Sequence, residues 1–137
     1  MKTKMVFLII ALLAIMVSGC TGPTSPGDQD DAEVRVDSID ILTLESFPVQ
    51  IHAVLKGTLR DGCVQIDDVD VTREVNTFKL ALVTSRLENA RCTSERQPFE
   101  QNVPLDVFGL PAGTYTVTAG DVSATFELTV DNILEQP

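Results

Sequence analysis

Residues 49–59 read VQIHAVLKGTL. Val49, Ile51, Ala53, Leu55 and Leu59 alternate with Gln50, His52, Lys56 and Thr58. A period of two is that of a strand with one face on a core, because successive side chains of extended chain point to opposite faces. Outside this segment no stretch carries the three-and-four spacing of an amphipathic helix, and the remainder reads as more strand.

Upstream, residues 33–45 set Val34, Val36, Ile39 and Ile41 among acids, and the change of phase near Ser38 predicts a bulge. Pro48 ends that run. Downstream, Asp61-Gly62 turns the chain into Cys63, Val64, Ile66, Val69 and Val71, which stop at the turn-like 74–76. Phe78, Leu80 and Leu82 form a fourth run. Residues 87–98 are polar and irregular, with Cys92 in their middle. A fifth strand is expected around 103–108, at a sheet edge because Pro104 has no amide to donate. The last two, 115–119 and 122–130, are joined by Gly120-Asp121, a Gly-first hairpin turn. About seven short strands without helices predict an all-β, two-sheet sandwich over 33–137.

At the other end of the chain, Lys2 and Lys4 precede an apolar run over residues 5–17 and then Ser18 and Gly19. That is the order of a secretory signal peptide, and the run is shorter than the roughly 20 residues that cross a bilayer as a helix. Val17-Ser18-Gly19-Cys20 resembles the lipobox of bacterial lipoproteins. The resemblance implies removal of residues 1–19, lipid on Cys20, and a chain held by its acyl groups on the extracytoplasmic face of a cell membrane or outer membrane. Thr21, where an inner-membrane retention signal places aspartate, favours the outer membrane in a cell that has two. Residues 20–32, rich in Thr, Gly, Pro, Ser and Asp, then read as a flexible tether.

Loss of residues 1–19 takes away two lysines and no acid, so the formal charge of −10 becomes −12. A surface so acidic repels nucleic-acid phosphates and anionic headgroups, which argues against nucleic acid as a partner. With Cys20 assigned to lipid, Cys63 and Cys92 remain as a pair that an oxidising compartment would join; two free buried thiols are the alternative. A bridge would pin the 87–98 segment to the third strand.

Leu110-Pro111-Ala112-Gly113-Thr114-Tyr115 resembles the corner before the penultimate strand of immunoglobulin-like and fibronectin type III domains. The resemblance implies a Greek-key sandwich in which the Tyr115 hydroxyl bonds to upstream backbone, and a group whose members bind, space or assist. Two features depart from it: the chain has no tryptophan, and its cysteines do not fall on the second and sixth strands.

Chemistry-bearing residues are sparse. His52 is the sole histidine and lies on the outward face of its strand, which leaves a serine or cysteine nucleophile without an evident base. Zinc would consume the cysteine pair. Asp67, Asp68 and Asp70 offer hard oxygens to calcium, but strand geometry turns Asp67 away from the other two, so a solvated acidic edge is the simpler reading. No catalysis, metal or cofactor is expected. The locally basic stretch 86–102, with Arg86, Arg91 and Arg96, is the expected contact loop. The functional expectation is a membrane-tethered binding or accessory module for a protein or glycan. The alternative is a small peptidase inhibitor that presents the 86–102 loop.

Overall fold

The computed structural model describes residues 33–134. The expected signal peptide, Cys20 and the tether over 20–32 lie outside the described residues. Seven strands follow in chain order: β1 (Val34–Leu44), β2 (Gln50–Leu59), β3 (Val64–Glu74), β4 (Thr77–Arg86), β5 (Gln97–Leu105), β6 (Gly113–Ala119) and β7 (Val122–Leu128). They form a sandwich of a three-stranded sheet, β1-β2-β5, and a four-stranded sheet, β3-β4-β6-β7.

The alternation in β2 makes it the centre of the smaller sheet. Ile51, Ala53 and Leu55 are buried against Val103 and Leu105 of β5 and Ile39 of β1. On the outer face Lys56 joins the three strands, reaching Asp40 at 2.8 Å and Glu100 at 3.9 Å. Opposite Gly57 the β1 ladder slips between Val36 and Ser38, leaving Asp37 as the extra residue of the bulge. Gly57 has to be glycine: a Cβ there would lie 2.0 Å from the Arg35 carbonyl oxygen and 2.8 Å from the Phe99 ring. A second slip, between Ile66 and Asp68, puts Asp67 out of register with β4.

The facing layer supplies Phe78 and Leu80 from β4, Tyr115, Val117 and Ala119 from β6, and Phe126 and Leu128 from β7. Phe78, Tyr115 and Phe126 form an aromatic cluster with centroids 5.4–6.3 Å apart, in the range where ring pairs attract beyond their buried area.

Two details differ from the sequence expectations. β5 begins at Gln97 and ends at Leu105, because residues 97–102 complete the ladder along β2 from Leu59 to Val54, so the irregular segment shrinks to 87–96. Polar residues hide this strand in the sequence, since one of its faces is wet and one of its edges is open. The strand order also departs from an immunoglobulin domain, where the third strand lies beside the sixth. Here β4 takes that place and runs parallel to β6 over the short register Thr77↔Thr116 to Lys79↔Thr118. β3 is thereby an edge strand, and its outward Asp68, Asp70 and Thr72 guard that edge against pairing with another chain.

Candidate functional site

The ladders fix which loops share an end. Val34 pairs with Leu59 and Leu44 with Gln50, so β1 starts beside the β2–β3 turn and finishes at the β1–β2 loop. By the same reasoning residue 33, the β2–β3 turn, segment 87–96 and the β6–β7 turn share one end. Loops 45–49, 75–76, 106–112 and 129–134 share the other. At about 3.3 Å per residue, the eleven residues of β1 separate these ends by roughly 30–35 Å.

The distal end is organised around Asn132, the one buried polar residue among the described residues. Its Oδ1 accepts from the Val49 amide at 2.7 Å, and its Nδ2 donates to the carbonyls of Val49 at 2.9 Å and Val107 at 3.0 Å. Its backbone amide donates to Leu110 and its carbonyl accepts from Gly109, both at 2.8 Å. One side chain thus ties the β1–β2 loop, the β5–β6 loop and the C-terminal segment into a rigid frame. Next to these tied positions the chain leaves apolar side chains in water: Phe47 and Phe108 are each 60 % exposed, and Ile133 and Leu134, which follow Asn132, are exposed too.

Val75, at the tip of the β3–β4 hairpin, is 86 % exposed and holds φ at +53°. Positive φ is strained for a β-branched residue, and hairpin tips ordinarily resolve it with glycine or asparagine. Between this hairpin and the β5–β6 loop lies a hollow of about 290 Å³, floored by Phe78 and Leu110 and walled by Val71, Pro104 and Phe108. Arg73 and Asp106 complete its lining. Apolar walls with a few polar groups suit the capture of one anchoring side chain from a partner.

The expected contact loop is at the opposite end and is held tightly. Cys63 and Cys92 are disulfide-bonded, with Cα atoms 5.3 Å apart. Gly62 donates to Thr93 and Leu87 to Cys63, each at 3.0 Å. Arg86 faces Asp61 at 3.0 Å and Glu33 at 3.3 Å, so it braces the loop's base. The Cys63 amide, and after it the Arg86 guanidinium, hold the Asp61 carboxyl below the ordinary aspartate value. Arg91 and Arg96 are exposed on segment 87–96. Of the three arginines, Arg86 thus has a bracing position and the other two line the loop.

Tyr115 is buried, and its hydroxyl donates to the Pro111 carbonyl at 2.8 Å. His52 Nδ1 meets Asn102 Oδ1 at 2.8 Å on the outer face of the smaller sheet. Asp67 accepts from Ser85 and Asp68 from the Val69 amide. Among the described residues no three His, Cys, Asp or Glu side chains come together to hold a metal ion. Asn132, Phe47, Val75 and Phe108 are not among the residues the sequence singles out; for the last three the available signal is an aromatic or β-branched residue beside Pro, Asn or Gly in a turn.

A profile described as the ORF11 beta-sandwich domain matches residues 53–128, from within β2 to the end of β7. Two Herpetosiphon aurantiacus proteins, each described as an uncharacterized 10.2 kDa protein in the HgiBIM or HgiEIM 5′ region, are 34% identical over 83 residues. Those residues are 61% of this chain and the full length of each relative. A third from the same organism, in the HgiCIIM 5′ region, is 29% identical over 95 residues, 69% of this chain and all of the relative. No solved structure matches.

Proposed function

Because the chain belongs to the ORF11 beta-sandwich domain family, we propose that it is a non-catalytic binding or accessory module whose distal end docks a protein partner. The observation that carries this reading is the exposed apolar set at that end: Phe47 and Phe108 on loops tied by Asn132, and Val75 on the β3–β4 hairpin. Leaving such side chains in water is unfavourable, at roughly 25 cal/mol per Å² of apolar area that a partner would otherwise cover. Clustered aromatic and aliphatic anchors around a hollow are the usual core of a protein contact.

In this reading Cys20 carries lipid and residues 20–32 tether the sandwich to the extracytoplasmic face of a membrane. Residue 33 enters the fold at the end opposite the apolar set, so the tether leaves that set facing outward. Photo-crosslinking in the producing cell tests the docking surface, with the crosslinker placed at Phe108 or, separately, at Arg91. Adducts of defined mass at position 108 alone support it. Adducts at position 91 alone favour the alternative, a peptidase inhibitor working through segment 87–96.

A further inference from the structure

Sheet β3-β4-β6-β7 is split. β4 is laddered to β6 only as far as Lys79, and among the described residues no strand lies beside 80–86 on that side. The Thr116 amide donates to the Asn76 carbonyl, which sets the direction in which alternate residues of β4 present their amides and carbonyls. By the two-residue period of a strand, the Leu80 carbonyl and both groups of Leu82 and Thr84 turn into the open lane, the Leu80 amide being taken by Thr118 at the last pair of the ladder. Across it stands the start of β1, an edge strand hydrogen-bonded to β2 on its other side.

The space between is a cleft of about 560 Å³. Val34, Val36, Leu80, Leu82, Ala119 and Val122 give it apolar walls, and Arg35, Asp37 and Asp121 also line it. One end is bridged by Glu33, whose carboxylate reaches Thr84 at 3.4 Å and Arg86 at 3.3 Å; the Gly120-Asp121 turn forms the other. Two strand edges facing one cleft are the requirements of an added strand, which gains affinity from main-chain hydrogen bonds and selectivity from alternate side chains.

We propose that this cleft binds a short extended peptide segment of a partner protein, apolar at alternate positions and flanked by a basic residue, which completes the split sheet. The basic flank follows from the chain's formal charge of −10; at the cleft itself the Asp37 carboxylate is paired with Arg35 at 3.1 Å. The site is separate from the distal end, and four of the residues that line it, 34–37, precede the span matched by the family profile.

The test uses the 15N-labelled full chain in detergent micelles and the synthetic peptide acetyl-Lys-Val-Thr-Val-Thr-Lys-amide. Binding is expected to shift amide resonances of residues 34–37, 80–82 and 119–122 and to slow hydrogen exchange at Leu82. Methylating alternate backbone nitrogens of the peptide, which keeps its side chains, is expected to weaken binding about tenfold or more. Exchanging its lysines for glutamates is expected to weaken it further, more at low salt than at high. Val34→Trp, which fills the cleft at an edge, should abolish the shifts while resonances at the distal end stay put. Equal affinity for the methylated peptide, shifts located elsewhere, or no shifts at millimolar peptide would overturn the proposal. None of these outcomes bears on crosslinking at Phe108, so the two readings stand or fall separately.

Discussion

Replacing Asn132 by alanine removes three side-chain hydrogen bonds at once and leaves the Val49 amide and the Val49 and Val107 carbonyls without those partners. A buried backbone group stripped of its partner costs about 1–3 kcal/mol, and relaxation recovers part of that, so Asn132→Ala is expected to destabilise by roughly 3 kcal/mol in urea denaturation. Val75 predicts a change of the opposite sign. Its positive φ is one that glycine adopts freely, so Val75→Gly should stabilise the fold by about 1 kcal/mol while removing an apolar contact from the distal end. Weaker partner crosslinking at Phe108 in this more stable variant would separate docking from folding. Val75 leaves a faint sign in the sequence, a β-branched residue beside Asn76 in a turn, whereas Asn132 leaves none. Asn132 has partners 83 positions away, and nothing in the local pattern around it distinguishes a buried asparagine from a solvated one. By contrast Gly120-Asp121 and the alternation of Ile51, Ala53 and Leu55 are local signals, and the structure places the turn and the core where they indicate.

At the scale of elements, the Cys63–Cys92 bridge spans 29 positions and binds the otherwise irregular 87–96 segment to the start of β3. In the chain-entropy description a loop of that length contributes about 3–4 kcal/mol, so the double substitution of both cysteines by alanine should lower stability by that amount. The same corner sets an acid limit. The Asp61 pKa is lowered on folding, so its contribution is fully present above the ordinary aspartate value of about 3.9 and is lost as pH falls through the lower folded value. Asp61→Asn should therefore flatten the loss of stability below about pH 4, read from urea midpoints across the acid range. Strands with one dry face declared themselves through period two. β5 was displaced in the sequence reading because Gln97, Glu100, Gln101 and Asn102 carry no apolar rhythm; what places them in a strand is the ladder with β2, a non-local fact.

For the molecule as a whole, the two sheets were legible because seven apolar alternations need two facing layers to hide in. The parallel meeting of β4 and β6 was not, since strand order is decided by which hairpin reaches the central position, and no single segment records that. The expected membrane address makes its own prediction: intact mass of membrane-extracted protein should begin at Cys20 with a lipid-sized increment, and Cys63 and Cys92 should alkylate only after reduction. An unlipidated chain of full mass would remove the tether from the functional reading without touching the sandwich. Time enters the picture through the distal frame. A chain delivered N-terminus first, whether from a ribosome or through a translocation pore, has all seven strands out before residue 132 follows. Until that residue arrives, the loops bearing Val49 and Val107 have no latch between them, so the end of the molecule that carries Phe47 and Phe108 is also the last to become rigid.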